Sequence, residues 1–141
     1  MQIGVDSSRA VDNKRLFVVD SDEITRMALQ FMLHDENEAH ELATLETAFE
    51  KAREWPPDLL LLGLALARER GMEVIATIKA QLPGAKILLV TDSPADPLAQ
   101  SCLQAGADGL LPKPLTVEAV RNKVDALLGR RRQVFIPLHA V

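Results

Sequence analysis

Two hydrophobic rhythms alternate along this chain. Short unbroken apolar runs (Leu16-Phe17-Val18-Val19, Leu59-Leu60-Leu61-Leu62, Ile87-Leu88-Leu89-Val90) are separated by stretches in which apolar residues recur every three or four positions. The runs have the length and evenness of strands buried on both faces, and the spaced stretches have the period of amphipathic helices. Strands are predicted over 16–19, 38–44, 58–62, 86–90 and 109–111. Five helical stripes lie between and after them. They are Ile24, Met27, Ala28, Phe31 and Met32; Leu45, Ala48, Phe49 and Ala52; Val74, Ile75 and Ile78; Leu98, Cys102 and Ala105; and Val117, Val120, Val124 and Leu127. Pro56-Pro57 and Pro83-Gly84 stop the second and third helices. Asp96 before Pro97 reads as an N-cap followed by a proline at the first helical position, with Gly106 at the far end. Thr116 caps the last helix and Gly129 closes it. The strand over 38–44 carries charges, which suits a sheet edge.

Five strands alternating with five helices predict an α/β fold: a doubly wound, five-stranded parallel sheet of order 2-1-3-4-5, flavodoxin-like. One domain is expected over 15–130, with a loose polar arm over 1–14 and a tail over 131–141. Ligands of such sheets bind outside the carboxyl ends of the strands. That places Asp20, Ser21, Gly63, Thr91 and Lys113 in one crevice, each at or just past a strand end.

The 141 residues are 48% hydrophobic and 26% charged, the balance of a water-soluble globular chain. A net charge of −4 argues against nucleic acid as a partner. Cys102 is the single cysteine, which excludes an internal disulfide and fits a reducing compartment. Residues 1–9 lack the apolar core of a secretory signal, and the longest apolar run, 59–67, is nine residues. A bilayer span needs about 20. A cytoplasmic protein without membrane contact is expected.

Several motifs stand in order at consistent intervals: Val18-Val19-Asp20-Ser21-Asp22-Glu23, Pro57-Asp58-Leu59-Leu60-Leu61-Leu62-Gly63, Leu89-Val90-Thr91, Ala105-Gly106-Ala107-Asp108-Gly109 and Lys113-Pro114. Together they resemble the receiver (CheY-like) domain of bacterial response regulators, over about residues 15–130. The resemblance implies a role in two-component or phosphorelay signal transduction. In that family two acids after the first strand and an acceptor aspartate after the third bind Mg²⁺. A hydroxyl after the fourth strand and a lysine after the fifth hold the phosphoryl oxygens. Here Asp20, Thr91 and Lys113 match the first acid, the hydroxyl and the lysine. Ser21 stands at the second acid and Gly63 at the acceptor, so two of three carboxylates are missing. Mg²⁺ prefers hard oxygen ligands in octahedral geometry, so its binding is expected to be weak or absent, with no other cofactor. Lys113 is then expected to pair with Asp20 directly. Ala67 stands where the family often has proline, Leu110 where it usually has an aromatic switch residue, and Asp92 where a small residue is usual.

The resemblance with these departures implies a non-enzymatic interaction module that accepts no phosphoryl group. Its partner is expected to be a histidine kinase-related or other signalling protein, or a second copy of the chain. Its expected face is the helix after Asp96, the fifth strand and the last helix, with Leu98, Leu110, Lys113 and Pro114. Two alternatives stand beside it: phosphotransfer through another carboxylate such as Asp22 or Asp92, and an anion sensor built on Thr91 and Lys113. Gly63 is open to readings as drift in a domain kept for its shape or as an introduced substitution. Asp22 and Glu23 also suit a helix N-terminus. Met27, Phe31, Met32 and Cys102 are expected in the core, and His34, His40 and His139 on the surface. With nothing predicted beyond 130 except a short tail, no DNA-binding or catalytic output domain is expected. The basic run Gly129-Arg130-Arg131-Arg132 is expected to complement the dipole end of the last helix or to stay solvated. Val134-Phe135-Ile136-Pro137-Leu138 is too apolar for a free tail and is expected to fold back, extend a sheet edge, or meet a partner.

Overall fold

A computed structural model describes residues 13–130 of the chain. The 131–141 tail and all of the arm except Asn13 and Lys14 lie outside the described residues. The elements are β1 (Arg15–Val19), α1 (Glu23–Leu33), β2 (Glu38–Leu42), α2 (Leu45–Ala52), β3 (Leu59–Gly63), α3 (Leu64–Arg70), α4 (Glu73–Gln81), β4 (Lys86–Thr91), α5 (Pro97–Gln104), β5 (Gly109–Pro112) and α6 (Val117–Leu128). All strand pairs are parallel, and the sheet order is β2-β1-β3-β4-β5. The strand order is the one expected from the sequence, with one helix more.

The sheet divides the core in two. Phe17, Val19, Leu60, Leu62, Ile87 and Leu89 face α2, α3, α4 and α5. Their strand neighbours Leu16, Val18, Leu59, Leu61, Leu88 and Val90 face α1 and α6. This alternation explains why β3 is leucine at every position but its last: both faces are covered, so neither has use for a polar side chain. Each such leucine contributes about 1.5–3 kcal/mol through burial.

Helix ends follow the local chemistry. The side chains of Asp22, Thr44, Asp96 and Thr116 accept backbone N–H groups at the starts of α1, α2, α5 and α6. Pro97 opens α5, and Gly129 closes α6 in the left-handed region at φ 76°.

Four expectations fail. The apolar run over 59–67 contains the junction of two elements, because α3 starts directly after Gly63 and buries Leu64, Leu66 and Ala67. The α1 stripe is reversed. Its buried residues are Thr25, Leu29 and Leu33, whereas Ile24 is 79%, Met27 50% and Phe31 70% exposed. Met32 packs on the core from a half-buried position. Val117 and Ala105 are exposed because each sits at a helix terminus, past the stretch that the sheet covers. His40 is half-buried, edge-on to Phe17 with ring centroids 5.9 Å apart and bonded to Glu38 at 2.7 Å. Cys102 is fully buried as expected, and burial pushes its thiol pKa up.

Candidate functional site

Parallel register carries the ends of β1, β3, β4 and β5 to one edge of the sheet. Val19 lies opposite Leu62, Gly63 opposite Val90, and Thr91 opposite Pro112. Asp20, Gly63, Thr91 and Lys113 therefore meet there, as their strand-end positions predict.

Gly63 has φ −65° and ψ 131°, a conformation that any residue adopts. What it provides is space. A Cβ built on it would lie 2.5 Å from Cγ and 2.8 Å from Oδ1 of Asp20, inside van der Waals contact. The Asp20 carboxylate thus fills the volume into which a side chain at position 63 would begin to grow.

Asp20 is held there from several sides. Its Oδ1 accepts the Asp22 N–H at 2.9 Å. Its own N–H donates to the Leu42 carbonyl at 3.2 Å, and its carbonyl accepts from Arg26 Nη1 at 2.8 Å. Only 6% of the residue is exposed. Burial raises its pKa above the ordinary carboxylate value. The Asp22 N–H bond and the charges of Lys113 and Arg26 offset part of that effect.

The neighbouring acids are differently placed. Asp22 is the N-cap of α1: its Oδ2 accepts the Thr25 N–H at 3.1 Å and the Thr25 hydroxyl at 2.5 Å. These bonds, the hydroxyl's first, hold its pKa below the ordinary value. Ser21 is exposed. Among the described residues, no three His, Cys, Asp or Glu side chains cluster as metal ligands would.

Across the crevice, Thr91 is 1% exposed, and its hydroxyl turns back on its own loop. It donates to the Ser93 carbonyl at 2.9 Å and accepts the Ser93 N–H at 3.2 Å. The expected Lys113–Asp20 pair does not form. Lys113 Nζ lies 3.3 Å from Asp92 Oδ1, on an exposed rim. The reason is positional: Asp20 is drawn inward over Gly63, while Asp92, one residue past Thr91, offers its carboxylate where the long lysine stem emerges. Lys113 still bears on Asp20 through its charge, without contact. The Lys113–Pro114 peptide is cis.

Leu110 on β5 and Leu98 on α5 are half-buried against the same core cluster, and Pro114 is exposed. The sequence reading missed Arg26. Its guanidinium holds the Asp20 carbonyl and pairs with Glu41 at 3.0 Å, tying α1 to the edge strand beside the crevice. No motif marks it, because a basic residue on a helix is ordinarily solvated. It also missed the Arg68–Asp96 pair at 2.5 Å, by which the unexpected α3 reaches the cap of α5.

Comparison with known proteins agrees with the fold. The chain is 29% identical over 116 residues to the chemotaxis protein CheY of Halobacterium salinarum, covering 82% of this chain and 97% of that one. It is 29% identical over 113 residues to the transcriptional regulatory protein LnrK of Bacillus subtilis, and 31% over 128 to the alkaline phosphatase synthesis transcriptional regulatory protein PhoP of the same organism. Those matches cover 78% and 89% of this chain, which spans about half the length of each B. subtilis regulator, 51% and 52%. A response regulator structure from Thermotoga maritima superposes with a TM-score of 0.75 at 21% identity, covering 83% of this chain and 98% of that one. One from Clostridium difficile gives 0.73 at 24%, with coverage of 84% and 98%. At these identities the two structures speak for the fold. The family model of the response regulator receiver domain matches residues 16–125, the whole stretch from the first strand into the last helix. With the sheet order and the strand-end residues falling inside that match, the chain belongs to the response regulator receiver domain family.

Proposed function

We propose that this receiver domain of the two-component signalling class works as a protein-binding module and accepts no phosphoryl group at its strand-end site. One observation carries the proposal. The position that ends β3 is a glycine, and the one buried carboxylate at the site fills the space beside it.

The remaining chemistry supports the same reading. Phosphoryl transfer relies on positioning and on charge stabilisation, usually with Mg²⁺. The donors here fit that ion poorly. Asp20 has one oxygen committed to the Asp22 N–H, Ser21 offers a hydroxyl, and Gly63 offers no side chain. Thr91 and Lys113 are engaged with Ser93 and Asp92. Asp22 is occupied as a helix cap, so it is a poor substitute acceptor.

The partner face we favour is formed by α5, β5 and α6. Leu98, Leu103 and Leu110 lie half-exposed there, beside exposed Lys113 and Pro114. A histidine kinase-related or other signalling protein is the class of partner that fits a receiver. Chemotaxis and transcriptional control are outputs of the similar proteins.

The test is intact mass after incubation with acetyl phosphate and Mg²⁺. The proposal predicts an unchanged mass. Addition of one phosphoryl group per chain, mapped to Asp20, Asp22 or Asp92, would overturn it.

A further inference from the structure

We propose that residues 134–138 of this chain (Val-Phe-Ile-Pro-Leu) dock on the outward face of α1, over Ile24, Met27 and Phe31. Isolated exposed apolar side chains are ordinary on a protein surface. Three large ones at i, i+3 and i+7 of one helix form a continuous stripe, and such stripes mark contact surfaces. The other exposed large apolar residues of the described chain lie apart from one another, Trp55 and Met72 in loops and Val117 on α6.

The place where the chain leaves the described fold selects the occupant. Arg130 is fixed at the carboxyl end of α1. Its Nη2 donates to Asn37 Oδ1 at 2.7 Å and to Asp125 Oδ1 at 2.8 Å, and Asn37 Nδ2 donates to the carbonyl of Leu33, the last residue of α1. Arg121 on α6 adds a bond to the Met32 carbonyl at 3.0 Å. The tail therefore starts within one arginine side chain of the carboxyl end of α1, the end at which the stripe finishes with Phe31. From Phe31 to Ile24 the helix rises about 10 Å at about 1.5 Å per residue. An extended chain advances about 3.3 Å per residue, which carries positions 134 to 138 roughly 13 to 26 Å from Arg130. The apolar run thus comes within reach of the stripe and is long enough to cover it. Tethering also gives the segment an effective concentration of about millimolar or more, ahead of any free peptide.

The sheet edge is the competing location, since β2 also begins next to Asn37. Pro137 has no N–H to give a ladder, and Glu38 and Glu41 put charge along that strand. Both disfavour an apolar strand there.

The test uses the full chain with Ala140→Cys carrying a nitroxide, in ¹⁵N-labelled protein. Cys102 is fully buried, so the label attaches at position 140. Amides of residues 24–31 should lose most of their intensity until the nitroxide is reduced. A mixture of ¹⁵N chains without nitroxide and unlabelled chains with it should show no loss. Phe31→Glu, at an exposed position that leaves the core intact, should abolish the effect while β3 and β4 amides stay in place. Three results would overturn the proposal: no loss, loss confined to residues 38–42 of β2, or loss in the mixed sample, which would assign the face to a second copy.

Discussion

Replacing Gly63 with alanine tests the packing at the strand end. The backbone there is open to any residue, so the substitution costs nothing in φ or ψ. Removing a glycine should even help by about 0.4–1 kcal/mol through the unfolded chain. The new methyl, however, would sit 2.8 Å from Asp20 Oδ1 and 2.5 Å from Cγ. If the carboxylate stays, the site is overpacked against a central strand, at a cost of about 1–3 kcal/mol. If it rotates away, it gives up the charge-assisted Asp22 N–H bond, worth about 1.5–3 kcal/mol, while still surrounded by protein. Either route outweighs the glycine gain and leaves Gly63→Ala less stable by about 1–2 kcal/mol. Urea denaturation of the single variants and of Asp20→Ala with Gly63→Ala completes a double-mutant cycle. With the carboxylate absent, the alanine should become neutral or stabilising, so the two changes should couple by about 1 kcal/mol or more. Gly63→Ala as stable as the parent, or an additive cycle, would refute the claim that Asp20 fills this space.

Two further outcomes follow from the same geometry. Asp20 titrates above the ordinary carboxylate value because it is buried, so the folded state takes up its proton before the unfolded state does. Its contribution to stability is full at low pH and is lost as pH rises from the unfolded value of about 3.9 through the raised folded value. Asp20→Asn keeps an acceptor for the Asp22 N–H and removes the charge. The stability gained over the parent should therefore grow across that window and then level off. A difference independent of pH in urea midpoints would contradict the burial argument. Asp22 and Glu38 shift downward and give the opposite slope, which is present in both proteins. At the start of α6, Thr116 Oγ1 accepts the Ala119 N–H at 3.1 Å. Thr116→Ala should cost about 1 kcal/mol by thermal or urea unfolding, and a loss below a few tenths would show the cap to be idle.

The elements readable from sequence were those in which one force dominates. β3 and β4 are apolar on both faces, so their place at the centre of the sheet follows from composition alone. Asp96-Pro97, Thr116 and Gly129 mark helix ends by local hydrogen bonding that needs no tertiary context. Helix α1 was misread because it carries two apolar stripes of helical period. Leu29 and Leu33 face the sheet, and Ile24, Met27 and Phe31 face outward. Periodicity identifies a helix with an apolar face, but with two such faces only the fold decides which is covered. Helix α3 was missed because no polar break separates Leu62 from Leu64, so strand and helix merge into one apolar run. The strand-end site was legible as a set of residues and illegible as a set of bonds. Asp20, Gly63, Thr91 and Lys113 do converge. That Lys113 meets Asp92 rather than Asp20 depends on how the Asp20 carboxylate settles into the space beside Gly63.

The most direct test of a receiver that accepts no phosphoryl group is an amide NMR titration with Mg²⁺ and beryllofluoride, which mimics an aspartyl phosphate. Peaks around Asp20, Gly63, Thr91 and Lys113 should stay in place. Saturable shifts at those four positions would mean that a working acidic pocket survives without a carboxylate at position 63, and the account would be wrong.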